Sequence, residues 1–302
     1  MSGEIAFANT ALESFAALVT FVLLFACIAK IKMQRGIKHI TSKDAKRNTL
    51  DYILIIWLVI HMIVLTADVL SWTAMDFGKN EVWLLFMLNL TFTCLSLECM
   101  VYTYYVKETI YQHEKIGNTY VYLVMLSTVI AIILWITSDI SGKFYYLDTQ
   151  GNYTQGSIYW LCQFYCIIVM CGNIVILLKH RKALVRHDVL SLLMYGLIPI
   201  ASIPAQMLWK STTFNLATTL VLIYICISVH MAQYDWIVEQ EKILIQQEHE
   251  LSMNQMQMMI AQIQPHFLYN SLTGAALQQR SKRSEEGNHQ FCGLLAQSYK
   301  RN

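Results

Sequence analysis

The sequence predicts an all-α membrane protein: a seven-transmembrane helix bundle, then a cytoplasmic signalling helix, then a helical hairpin. Three observations carry this. Of 302 residues, 56% are apolar and 14% charged, against about 45–50% and 25% in an average soluble domain. The apolar residues gather into seven runs, each long enough for the roughly 20 helical residues that cross a hydrocarbon core. Beyond residue 234 the chain turns abruptly polar.

The runs lie near 10–31, 49–72, 82–106, 119–137, 158–178, 189–209 and 215–234. The first is not a cleavable signal peptide, because its leader has no positive charge and a basic segment follows it. Connections after the first, third and fifth runs hold Lys30, Lys32, Arg35, Lys38, Lys43, Lys46, Arg47, Lys107, Lys115, Lys179, Arg181, Lys182 and Arg186. The opposite side holds Lys79, Lys143 and Lys210. Basic loops stay in the cytoplasm, so the N-terminus is expected outside and the C-terminal tail inside. An odd number of spans satisfies that orientation. The formal charge of +2 gives no sign of nucleic-acid binding. Seven of the eight cysteines lie in apolar runs, where cysteine behaves as a small hydrophobe, and none has metal-ligand spacing.

The longest outer connection, 138–157, alternates aromatic and polar residues around Gln150-Gly-Asn152, which predicts a short hairpin. It is too small for a separate sensor domain, so any sensing falls to the bundle. Within the bundle His61, Asp68 and Glu98 interrupt apolar runs. A charge at the bilayer centre costs roughly 2.5–3.5 kcal/mol on insertion scales and is normally paired inside the bundle. Runs two and three are antiparallel neighbours, so His61 and Glu98 are expected to meet. Asn89, Gln163, Asn173 and Gln206 extend the polar set. The residues permit two readings: hydrogen bonds that hold the bundle together, or a sensing pocket. Asp68, beside Trp72 near the outer interface, is the leading candidate for contact with an external ligand. Pro199 and Pro204 predict a bend in the sixth run.

From 235 to about 260 the chain is free of Pro and Gly, and Ile237, Leu244, Leu251 and Met258 recur every seven residues. Their companions three residues on, Gln240, Gln247, Asn254 and Ala261, are mostly polar. One apolar and one polar row make a weak two-stranded coiled coil. Weakness suits a signalling helix, which needs two arrangements of similar energy.

Next comes Gln262-Ile-Gln-Pro-His-Phe-Leu-Tyr-Asn-Ser-Leu272. The run closely resembles the phosphoacceptor box of bacterial autolysin-sensor (LytS-like) histidine kinases. Their pattern at this place is Gln-Ile-Asn-Pro-His-Phe-Leu-Phe-Asn-Ser-Leu-Asn. This chain departs from it at Gln264, Tyr269 and Thr273. The resemblance covers about 40 C-terminal residues and implies that His266 accepts phosphate. A histidine in that role needs an unprotonated ring nitrogen, which imidazole supplies near neutrality. Gln262 and Asn270 stand four residues to either side, on one helical face with it. Pro265 cannot donate to the carbonyl of Ala261, so a bend is expected before the histidine.

Gln278–Arg283 reads as a polar turn and Ser284 as the cap of a second arm, making 261–302 a partial dimerisation and phosphoacceptor domain. The domains expected are therefore 1–234 sensory, 235–260 signalling helix and 261–302 phosphoacceptor. No ATP-binding domain is recognisable up to Asn302, so this chain alone is not expected to hold a cofactor or to act as a kinase. By resemblance, ATP–Mg belongs to a kinase domain supplied by a longer product or in trans. The partners implied are a second copy of the chain and a response regulator, one with a LytTR DNA-binding domain being common in the family. The competing class is a seven-span receptor or transporter without phosphotransfer.

Overall fold

The computed structural model describes residues 3–35, 42–77, 81–147, 153–209 and 213–299. Their order is α1 (Gly3–Arg35), α2 (Ser42–Phe77), α3 (Glu81–Tyr111), α4 (Thr119–Ile136), α5 (Ser138–Ser141), β1 (Tyr145–Leu147), β2 (Tyr153–Gln155), α6 (Trp160–His180), α7 (Arg186–Trp209) and α8 (Thr213–Tyr299). Helix dominates because hydrocarbon offers no water to unpaired backbone groups, and a helix satisfies its own. Among the described residues six stretches are long and apolar enough to cross a membrane: Phe7–Lys32, Thr49–Thr73, Glu81–Tyr111, Thr119–Ile136, Arg186–Gln206 and Thr213–Met231. The remaining expected run falls on α6, whose apolar stretch Phe164–His180 is shorter.

The chain divides into two compact units, Met1–Met231 and Ala232–Asn302. In the first, α2 packs on α1 and α3, α3 also on α4 and α6, and α6 on α7. Its core is built around Trp57, Tyr102 and Tyr195, all fully buried, with Leu54, Leu58, Met170, Leu192 and Leu222. Outward faces such as Phe15, Phe25, Leu126, Ile133 and Ile168 are exposed apolar surface, as a lipid-facing shell requires.

The expected hairpin forms. β1 and β2 pair antiparallel with Tyr146 opposite Thr154. Tyr145 and Phe144 are buried against Leu84, Leu88, Ala131 and Trp135, so the connection is folded onto the ends of α3 and α4. Gly156 closes it by donating its N–H to the Phe144 carbonyl at 2.8 Å. A Cβ at this position would stand 2.1 Å from the carbonyl oxygen of Lys143, so only glycine fits. The turn 150–152 lies outside the described residues.

The prolines sit within helices, and the expectation for the tail needs revision. Pro199 and Pro204 lie inside α7 and Pro265 inside α8, with helix assigned on both sides of each. The turn expected at Gln278–Arg283 is helical and α8 continues to Tyr299, so there is no second arm among the described residues. The stretch Ala275–Ser284 holds neither Gly nor Pro, and Leu, Gln, Arg and Lys all favour helix. Polarity alone does not break a helix.

Candidate functional site

The polar residues of the membrane unit are joined, by hydrogen bonds and one ion pair, into a chain that crosses five helices. Its centre is Glu98 on α3, buried to 2% exposure. One carboxylate oxygen, Oε1, accepts from Tyr195 Oη at 2.6 Å and from Trp57 Nε1 at 3.3 Å. His61 Nδ1 stands 3.1 Å from the same oxygen, close enough for an ion pair though not aligned as a hydrogen bond. The expected meeting of His61 and Glu98 is therefore present. Trp57 and His61 are four residues apart on α2, which puts both on the face that meets Glu98. Trp57 packs edge-on to Tyr195 with ring centroids 4.5 Å apart, and Tyr102 lies 4.7 Å from Tyr195. These aromatic rings form a dry wall around the ion pair.

From His61 the chain passes to α8. His61 Nε2 lies 2.9 Å from Thr219 Oγ1. That hydroxyl donates its one hydrogen to the Asn215 carbonyl at 2.8 Å, so toward His61 it can only accept. Nε2 then carries hydrogen. Nδ1 stands against Glu98 Oε1, which already accepts from a phenol and an indole. The second carboxylate oxygen, Oε2, is buried with no hydrogen-bond partner among the described residues.

Asn215 is the next junction. Its side-chain amide donates to Asp68 Oδ2 at 2.8 Å and to Glu13 Oε1 at 2.9 Å. Asp68 is seven residues beyond His61, two turns along the same face of α2, and Glu13 enters from α1. Asp68 is thus fixed inside the bundle. Trp72 Nε1 is buried and makes no hydrogen bond among the described residues, and the same holds for Gln206 Oε1.

The other expected polar residues are used separately. Asn173 donates to Thr103 Oγ1 at 2.9 Å, tying α6 to α3. Asn89 accepts from the Tyr145 hydroxyl and pins the hairpin. Gln163 has a side chain outside the described residues. Glu13, Asn215 and Thr219 were not singled out in the sequence. Glu13 lies within the first turn of the first apolar run, with no basic residue in that half of the helix, and that lone acid was the available signal.

The second unit presents its motif on α8. Pro265, Phe267, Leu268, Asn270 and Leu272 are exposed, as are Leu244, Leu251 and Met258 of the heptad row. The side chains of Gln262, His266 and Ile237 lie outside the described residues. Among the described residues no group of three or more His, Cys, Asp or Glu could hold a metal ion.

No protein-family model matches the chain, and comparison with curated proteins finds no relative.

Breaking a buried ion pair by removing one partner costs about 3–5 kcal/mol, whereas removing both together costs less than the sum. His61→Leu and Glu98→Leu are therefore expected to destabilise the detergent-solubilised protein strongly, and the double variant to recover at least about 1 kcal/mol relative to additivity. Unfolding titrations of the four proteins measure this; strict additivity would mean that the two groups do not interact.

Proposed function

We propose that this chain is the sensory and phosphoacceptor portion of a bacterial two-component membrane sensor histidine kinase. The observation that carries the reading is the run Gln262–Leu272, which matches the autolysin-sensor box at Pro265, His266, Phe267, Leu268 and Asn270 and lies within α8. Support comes also from the other end of that helix, where Asn215 and Thr219 engage polar groups of the bundle. A ligand or potential that altered those groups would act on the helix that carries the phosphoacceptor.

In this reading the γ-phosphorus of ATP is attacked by a ring nitrogen of His266, an N–P bond forms, and ADP leaves. ATP–Mg is held by a kinase domain that belongs to a longer product or to another chain. Gln262 and Asn270 flank the ring on its helical face, and their amides orient it or meet the phosphate oxygens. The exposed row Leu244, Leu251 and Met258 supplies an apolar stripe for pairing with a second copy. Phosphate then passes to a response regulator, LytTR type being one candidate. The alternative, a receptor or transporter without phosphotransfer, keeps the polar chain and gives His266 no role.

The decisive assay mixes the purified chain with a catalytic ATPase domain from an autolysin-sensor kinase and radiolabelled ATP. An acid-labile, base-stable label is expected on wild type and is abolished in His266→Gln, which keeps a polar side chain but lacks the nucleophile. Undiminished labelling of that variant would exclude His266 as the acceptor. Absence of label on wild type would favour the alternative.

The same proposal requires α6 to cross the membrane as a seventh span, with the N-terminus outside, since the basic connections then all face the cytoplasm. A topology reporter inserted at 148–152 should score as external and one fused after 302 as cytoplasmic. Matching scores at the two sites would contradict the orientation.

A further inference from the structure

The ion pair and the box leave one feature unused: two carboxyl groups that meet with no cation between them. Glu13 is fully buried. Its Oε1 accepts one N–H of Asn215, and Oε2 is buried with no donor. Asp68 accepts the other interaction of the same amide through Oδ2, and Oδ1 lies 3.4 Å from the Ser71 hydroxyl, which donates more closely to the Asp68 carbonyl at 2.7 Å. None of the ion pairs among the described residues includes either group. The charged and titratable groups facing this point are thus Glu13 from α1 and Asp68 from α2, with Asn215 from α8 and Ser71 as neutral neighbours. His61, two turns away, is engaged by Glu98 and Thr219.

Two full negative charges at this spacing, in an apolar surround and bridged by one neutral amide, are mutually exclusive. Something positive must be shared between them. A hard divalent cation such as calcium or magnesium fits poorly, because it wants about six or more oxygen ligands and here an NH2 group, a donor, bridges the carboxyls. A buried carboxyl oxygen that lacks a donor, on a group tied to another carboxyl by one amide, is where a hydrogen belongs.

We propose that Glu13 and Asp68 share a single proton, carried by Glu13 and accepted by Asp68, in a site bridged by Asn215 at the outer end of the bundle. Asn215 is the third residue of α8, so the first turn of that helix is part of the proton site. The site uses only the orientation given under the proposed function; it does not depend on phosphotransfer.

The test is infrared spectroscopy of the full chain in lipid nanodiscs at neutral pH, reading the C=O stretch of protonated carboxylic acids. Wild type should show such a band, and Glu13→Gln should lose it. Asp68→Asn, which replaces a charged acceptor by a neutral one, should keep the band and move it to higher frequency. Replacing sodium by choline should leave all three spectra unchanged. Absence of the band in wild type, its survival in Glu13→Gln, an unshifted band in Asp68→Asn, or a band that appears only when sodium is removed would each overturn the shared proton. Because the readout is the proton itself, failure here leaves the His266 assay untouched, and failure of that assay leaves this one untouched.

Discussion

The bundle depends on the cost of placing ionisable groups where there is no water. His61 and Glu98 are both essentially unexposed, and each is tolerable only because the other, with Tyr195, Trp57 and Thr219, replaces the solvent it lost. Breaking any one contact strands the rest. That makes the polar chain a constraint on packing as well as a set of contacts: α2, α3, α7 and α8 must keep the depth and rotation that bring these side chains into register. Apolar packing between membrane helices alone would tolerate many rotations, because lipid is as apolar as leucine.

The arrangement also explains why α8 is the element through which the bundle could act. α8 contributes no charged residue to the chain, yet it supplies two junctions, Asn215 and Thr219, one turn apart and joined by their own hydrogen bond. Each junction answers to a different charged group, the carboxyl pair on one side and His61 on the other. A change in hydrogen bonding at either place is presented to the same helical turn. In an interior of low dielectric such neighbours polarise one another, so the response of the pair need not be the sum of its parts.

How much of this was legible before the fold is uneven, and the reasons are physical. Long apolar runs declare spans because hydrocarbon thickness sets their length, and six of the seven were placed to within a few residues. The meeting of His61 with Glu98 followed from burial cost and the antiparallel connection of neighbouring runs. The hairpin followed from alternation around a glycine turn. Glu13 was hidden because an acid near the start of a span reads as interfacial, and its burial arises from the packing of α1 against distant segments. Asn215 and Thr219 were hidden because small polar residues in a span usually serve their own helix; Thr128 and Thr103, for example, donate to backbone four residues back. The tail failed in the opposite sense. A polar stretch at Gln278–Arg283 suggested a turn, but strong helix formers without a glycine or proline have no reason to stop.

The central claim is that His61 joins Thr219 to Glu98 through its two ring nitrogens. Nitrogen-15 magnetic resonance of ring-labelled histidine in the full chain reconstituted in bilayers, with His61→Gln identifying the resonances, reads directly which ring nitrogens carry hydrogen. The account predicts that Nε2 of His61 carries hydrogen toward Thr219 and that the Nδ1 resonance shifts when Glu98 is replaced by Gln. An Nε2 without hydrogen, or an Nδ1 resonance indifferent to Glu98→Gln, would contradict it.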